Sequence, residues 1–407
     1  MIEGRDIVCM SFVVWDEHWG TPQQLMSRFA ARNRVLYVEP PVSALSFFTG
    51  IRSPGAVWRQ VRRWLAGPRR LGGNLWVASP PPVLPLRSNV VVNRINAAIM
   101  RAWLARQATR LGFRDPVYWN AQPGMPGIAR AVRPALTVYH CVDDFTAMPH
   151  WWNQARALAS RERESCREAG VVICTARRLA ETRRRYHPRV HFVPNAANVE
   201  LFEQATAPST EIPPDIASLP KPVVGIFGVI DFRTDVAVLE HLARARPGWS
   251  LALVGLVKGD VDLSRLRALP NVRIFGKKPT AELPGYLRAM DVALICYRLI
   301  DYNHHVFPLK LYDYLAAGKP IVASDIEELR PHEGAHLAIA RTPDGWVGAI
   351  ERCLREDSPE KAAGRQALAR AQSWDHRVET LSDIIAPMLR TAPEAARAAA
   401  ATGVAGG

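Results

Sequence analysis

Strand-then-helix alternation, met twice along 407 residues, restricts this chain to a small set of folds. Asp6 to Val14 is an apolar, β-branched run, Pro22 to Arg32 is helical in pattern behind Gly20 and Thr21, and Val35 to Val38 is apolar again. Such β-α-β units predict a parallel, doubly wound sheet with right-handed crossovers, whose ligands lie at the C-terminal ends of the strands. His18 and Gly20 therefore fall in a ligand-side loop, although an exposed loop histidine is more often just solvated. KPVVGIFGVI, from Lys221, restarts the pattern, and apolar strands follow at Leu251 to Val254, Val272 to Phe275, Val292 to Ile295 and Ile321 to Ala323. The chain is α/β, and it is long enough for two domains with their own cores.

One stretch of the second domain carries a candidate ligand site. In HVFPLKLYDYLAAGKP, His305 to Pro320, the residues Leu309, Leu311, Tyr312, Leu315 and Ala316 form one apolar helical face, with Pro308 at its start and Gly318 at its stop. The pattern predicts a helix of about three turns. Its unpaired first-turn amides, beside Lys310, suit a diphosphate, and Asp313, one turn further in, can accept from the two hydroxyls of a ribose. A surface helix with an ordinary Lys/Asp pair is the plainer reading. In the first domain the strand Leu136 to Val138 delivers YHCVDDF, placing His140, Asp143 and Asp144 where acceptor-side acid–base chemistry would sit, or where an aspartate caps the next helix. Gly225 and Gly228 permit close approach of backbone to phosphate, but GIFGVI is not GxGxxG, and neither domain start has the fingerprint of a dinucleotide oxidoreductase.

Charge is unevenly distributed. Met1 to Ala205 has 28 arginines, no lysine and 14 acids, whereas the remainder balances 24 basic against 24 acidic residues. Between Pro40 and Arg114 there are 12 arginines and no acid, interleaved with Phe47, Phe48, Trp58, Trp64 and Trp103. Over SPGAVWRQVRRWLA, helical spacing puts Val57, Trp58, Val61, Trp64 and Leu65 on one side and Arg59, Arg62 and Arg63 on the other. Such a helix suits an anionic membrane surface; a helix packed on its domain with a solvated basic face is the alternative. No nucleic-acid-binding motif accompanies it. No apolar run reaches the ~18 residues of a membrane span, and MIEGRDIVCM lacks a signal-peptide layout. The six scattered cysteines show no metal-ligand spacing, so no metal site is expected. These features predict a cytoplasmic protein held peripherally at the inner face of the cell membrane.

NVRIFGKKPTAELPGYLRAMDVALICY followed by HHVFPLKLYDYLAAGKPIVASDIEEL resembles the nucleotide-sugar half of GT-B glycosyltransferases of the retaining family 4 type, glycosyltransferase group 1. The resemblance implies GT-B architecture, two Rossmann-like domains facing a central cleft. It implies transfer of a sugar from a nucleoside-diphosphate sugar to a glycan or lipid-linked acceptor in cell-envelope or exopolysaccharide synthesis, without metal or other cofactor. Asp313 matches the family's ribose-binding acid, while His305 stands where the family usually has Glu. Val306, Phe307, Lys310 and Leu311 complete that donor loop; Gly228 and Arg233 match the diphosphate side only in part, and Gly276 and Lys277 fall at the turn that holds the base. VPNAANVELF resembles the family's boundary motif, and SWDHRVETLSDIIAPML its terminal helix. The expected organisation is an N-terminal domain over 1–200, a linker over 201–220, a nucleotide-sugar domain over 221–373, a returning helix over 374–390 and a disordered tail over 391–407. A non-catalytic glycan- or nucleotide-binding protein of the same fold is the alternative.

Overall fold

The computed structural model describes residues 1–17, 19–43, 54–85, 89–123, 127–148 and 155–402, without the side chains of 54, 56, 57, 90 and 390–402. Two compact units result, Met1–Pro194 with Arg377–Gly407, and Asn195–His376.

In unit 1 the order is β1 (Asp6–Met10), α1 (Thr21–Phe29), β2 (Arg34–Val38), α2 (Pro54–Ala66), β3 (Arg69–Gly72), β4 (Leu75–Ala78), α3 (Val90–Leu111), β5 (Val117–Asn120), β6 (Leu136–Cys141), α4 (Ala155–Glu168), β7 (Val171–Cys174), α5 (Arg177–Arg184) and β8 (Val190–Phe192). The sheet order is β3-β4-β2-β1-β5-β6-β7-β8, parallel except for the β3–β4 pair. The chain winds outward from β1 through β2 and then returns to β5 on the other side, so the switch point lies between β1 and β5. β1 ends four residues before its apolar run does. The Ser11 hydroxyl, 2.6 Å from the Tyr37 hydroxyl and accepting from the Val13 amide, turns the chain out of the sheet. The hairpin strands β3 and β4 were not expected, because a four-residue run after Gly72 and Gly73 is too short for a periodic signal.

Unit 2 continues with α6 (Val199–Phe202), α7 (Pro214–Ala217), β9 (Val223–Phe227), α8 (Val236–Ala245), β10 (Ser250–Val254), α9 (Ser264–Arg267), β11 (Val272–Gly276), α10 (Leu283–Ala289), β12 (Val292–Ile295), α11 (Asp301–His304), α12 (Lys310–Ala316), β13 (Ile321–Ser324), β14 (Ala338–Ala340), α13 (Pro343–Glu356) and α14 (Pro359–Ala371). Its all-parallel sheet runs β11-β10-β9-β12-β13-β14, with the switch between β9 and β12. Both faces are covered: Val223 and Phe227 join one apolar core, Val224 and Ile226 the other. The stretch expected as a linker is part of this unit. Phe202, Ala205 and Ile216 are buried in its core, and a Cβ on Gly285 of α10 would lie 2.3 Å from the Glu211 carbonyl oxygen. Proline and small residues there serve tight packing, not free chain. The last helix, α15 (Trp374–Thr402), buries Val378, Leu381, Ile385 and Leu389 at helical spacing. The tail expected to be disordered instead continues this helix through Thr402, and 403–407 lie outside the described residues.

Candidate donor and acceptor sites

In unit 2, Gly228, Arg233 and Lys310 gather at the C-terminal ends of β9 and β12. Gly228 follows β9 with φ +103°, and a Cβ there would sit 2.9 Å from Cε of Lys310. Glycine thus leaves room for the Lys310 stem. Lys310 is buried, its Nζ lies 5.2 Å from the Tyr297 ring centroid, and among the described residues it has no ion pair. Arg233 is clamped instead: Nε donates to Asp231 Oδ1 at 2.8 Å and Nη2 to Oδ2 at 2.7 Å, with the guanidinium 5.8 Å from the same Tyr297 ring. Burial alone would raise the Asp231 carboxyl, but Arg233 holds it below its ordinary range. The backbone of Arg233 is fixed as well, its carbonyl accepting from the Arg298 amide at 2.8 Å and from Asn303 Nδ2 at 3.5 Å.

The helix α12 is seven residues, two turns rather than about three, because Leu309 is its N-cap and Ala317 its C-cap. It has no side-chain cap, so the fixed cations, more than a macrodipole, give this end its charge. Asp313 is partly buried; its Oδ1 accepts from the Asn198 amide at 3.3 Å, and desolvation pushes its carboxyl up to about 7. His305 turns Nδ1 to the Asp301 carbonyl oxygen at 2.9 Å, within its own short helical turn. Two expected contact residues prove to be core. Phe307 stacks on Tyr312 at 5.3 Å, and Leu311 is wholly buried, its amide donating to the Pro308 carbonyl at 3.1 Å. Val306 is buried too. Gly276 ends β11, Lys277 is exposed, and it is Lys278 that is held, 2.7 Å from Asp215 and over the Tyr286 ring. β11 lies two strands from β9 in the sheet.

In unit 1, His140 lies on β6 beside the switch point, buried, with Nδ1 3.3 Å from the Trp119 indole nitrogen. Burial lowers its pKa to about 3. Asp144 is a turn-former: it accepts from the Thr146 amide at 3.0 Å and from the Thr146 hydroxyl, and lies 3.7 Å from Arg183. Arg183 is bound chiefly by Glu162 at 2.7 Å, both buried, so Asp144 is tied into an internal ion-pair network. Asp143 is partly buried beside it. Gly20 caps α1, its N–H satisfied by Gln23 Oε1 at 3.1 Å; His18 lies outside the described residues. The basic helix is only half as expected. Trp58, Arg59, Arg62 and Leu65 are exposed, whereas Trp64 packs against the core of unit 1 and Arg63 pairs with Asp16 at 2.8 Å.

Residues 227–356 match the family model described as Glycosyl transferases group 1. A curated relative, the putative teichuronic acid biosynthesis glycosyltransferase TuaH of Bacillus subtilis, is 28% identical over 280 residues, 63% of this chain and 68% of its own. Among solved structures, sucrose-phosphate synthase from Thermosynechococcus elongatus superposes with TM-score 0.63 at 16% identity, covering 98% of this chain and 100% of that one. Anabaena HepE in complex with UDP and glucose gives 0.64 at 14% identity over 94% and 99% of the two chains. Residues 227–356 are a group 1 glycosyltransferase domain on a GT-B fold. Around this domain, several framing residues had no sequence signal of their own. Asn303 is wholly buried and ties the Arg233 loop to the Arg298 carbonyl at 2.7 Å; Asn195 Nδ2 holds the Phe307 carbonyl at 3.3 Å. An isolated asparagine is not periodic, and only its hydrogen-bond partners reveal what it does. VPNAAN resembles a boundary motif; in the fold it frames α12 through Asn195 and Asn198.

Proposed function

We propose that this glycosyltransferase moves a sugar from a nucleoside-diphosphate sugar to a glycan or lipid-linked acceptor at the cytosolic membrane face. The observation that carries the donor side is the convergence of Gly228, Lys310, Arg233 and Tyr297 at the β9/β12 switch point, with Asp313 one turn inside α12. Lys310, buried and without an ion pair among the described residues, meets the diphosphate; Arg233 shares its fork between Asp231 and the same phosphates. As the sugar departs, charge accumulates on the nucleoside diphosphate, and cations fixed in place lower that barrier without reorganisation. Asp313 accepts from the ribose hydroxyls. Likeness to HepE, solved with UDP-glucose, and to TuaH, a putative enzyme of teichuronic acid biosynthesis, supports a UDP-sugar donor and an envelope polymer. The reaction retains anomeric configuration and proceeds without a metal, as the family resemblance implies.

The test is hydrolysis and transfer with a panel of UDP- and GDP-sugars, followed by NMR of the anomeric proton. Release of nucleoside diphosphate, lost about 100-fold in Lys310→Ala, is the expected result. Binding of nucleotide with no turnover of any donor would instead indicate a non-catalytic nucleotide-binding protein, and an inverted product would remove retention.

A further inference from the structure

Among the described residues Trp119 is the largest wholly buried side chain, set on β5 in register with Val138, so that its indole reaches His140 two residues along the neighbouring strand. The rings meet edge to face at 5.5 Å and 86°, and the Phe29 ring of α1 lies 5.7 Å from the indole. An indole nitrogen can only donate. At 3.3 Å from Nδ1 it therefore requires Nδ1 to be the acceptor, which leaves the imidazole proton on Nε2. We propose that Trp119 is a positioning residue whose indole N–H locks His140 in the Nε2–H tautomer, so that His140 offers a hydrogen-bond donor, and not a base, to an uncharged sugar hydroxyl.

This rests on the proposed sugar transfer and on the expectation that places His140 where acceptor-side chemistry would sit. The geometry changes what the ring can do there. With Nδ1 occupied by a donor and the proton on Nε2, it has no free lone pair with which to deprotonate an acceptor. Burial, which keeps the ring neutral across the physiological range, agrees with a donor role. Hydrogen bonds of this kind discriminate strongly between a sugar bearing the hydroxyl and its deoxy analogue, because the unmatched N–H would be left buried and unpaired.

Two measurements on the full chain test this. In the 15N spectrum of histidine-labelled protein, the ring that disappears in His140→Ala should show an acceptor-type Nδ1 and a protonated Nε2; the reverse assignment overturns the lock. The spectrum needs no turnover, so it separates failure of the lock from failure of the proposed activity. The second is a double-mutant cycle on UDP-glucose hydrolysis. Trp119→Phe should lower kcat about tenfold with KM for UDP-glucose within about twofold, and should cost nothing further in the His140→Ala background. Losses that simply add would mean that Trp119 serves packing alone. Trp119→Phe that fails to fold leaves the wild-type spectrum to decide.

Discussion

At the scale of single residues, Asp313 makes the sharpest claim. Desolvation pushes its carboxyl from 3.8 up to about 7, so the folded chain holds a proton that the unfolded chain releases between those values. The Asp313 contribution to stability is then greatest below pH 4, falls as pH rises to about 7, and is flat beyond, a loss of at most about 4 kcal/mol. Thermal melts from pH 4 to 8 should show this slope, and Asp313→Asn should flatten it. Nucleotide binding has the opposite sign. If Asp313 holds the ribose as proposed, its hydroxyls would donate to the ionised carboxylate, so UDP affinity should rise about tenfold between pH 6 and 8 and lose that dependence in Asp313→Asn, read by calorimetry. Gly228 is the other residue whose identity is forced. A Cβ there meets the Lys310 stem at 2.9 Å on a backbone with φ +103°. Gly228→Ala should cost about 1–3 kcal/mol of stability and weaken UDP at least about tenfold, since Lys310 must move aside.

At the scale of elements, α2 has an outer face that mixes Trp58 and Leu65 with Arg59 and Arg62, all exposed. Reversing Arg59 and Arg62 to Glu should abolish flotation with anionic vesicles and leave binding to neutral ones unchanged; Arg63, already paired with Asp16, should contribute less. No helix among the described residues is long and apolar enough to cross a membrane. The same helix shows what periodicity can and cannot tell. Its amphipathic pattern was legible, but Trp64 and Trp58 are the same residue type, and only tertiary packing sends one inward. Strand positions such as β9 and β12 were legible because buried parallel strands are continuous apolar runs. The length of α12 was not: Pro308 and Leu309 fit a helical pattern, yet the chain enters the helix only at Lys310.

On the scale of the whole molecule, two sheets each reverse their strand order once, between β1 and β5 and between β9 and β12. Gly228, Arg233 and Lys310 lie at the second of these reversals, where a β-α-β pattern leads one to expect a ligand. Which side chains face into each opening was not legible, because Leu311, Phe307 and Lys310 are close neighbours in sequence and part company only through packing. Composition misled at one boundary. The Ala-, Pro- and Ser-rich stretch after Phe202 reads as a tether, yet it is sewn onto α10 and into the apolar interior of unit 2. Anyone dissecting the protein will therefore find that the scissors must fall upstream of it. A fragment starting at residue 221 should be aggregation-prone, with an open wound where Phe202, Ala205 and Ile216 belonged, whereas one spanning 195–376 should melt cooperatively and keep its grip on UDP.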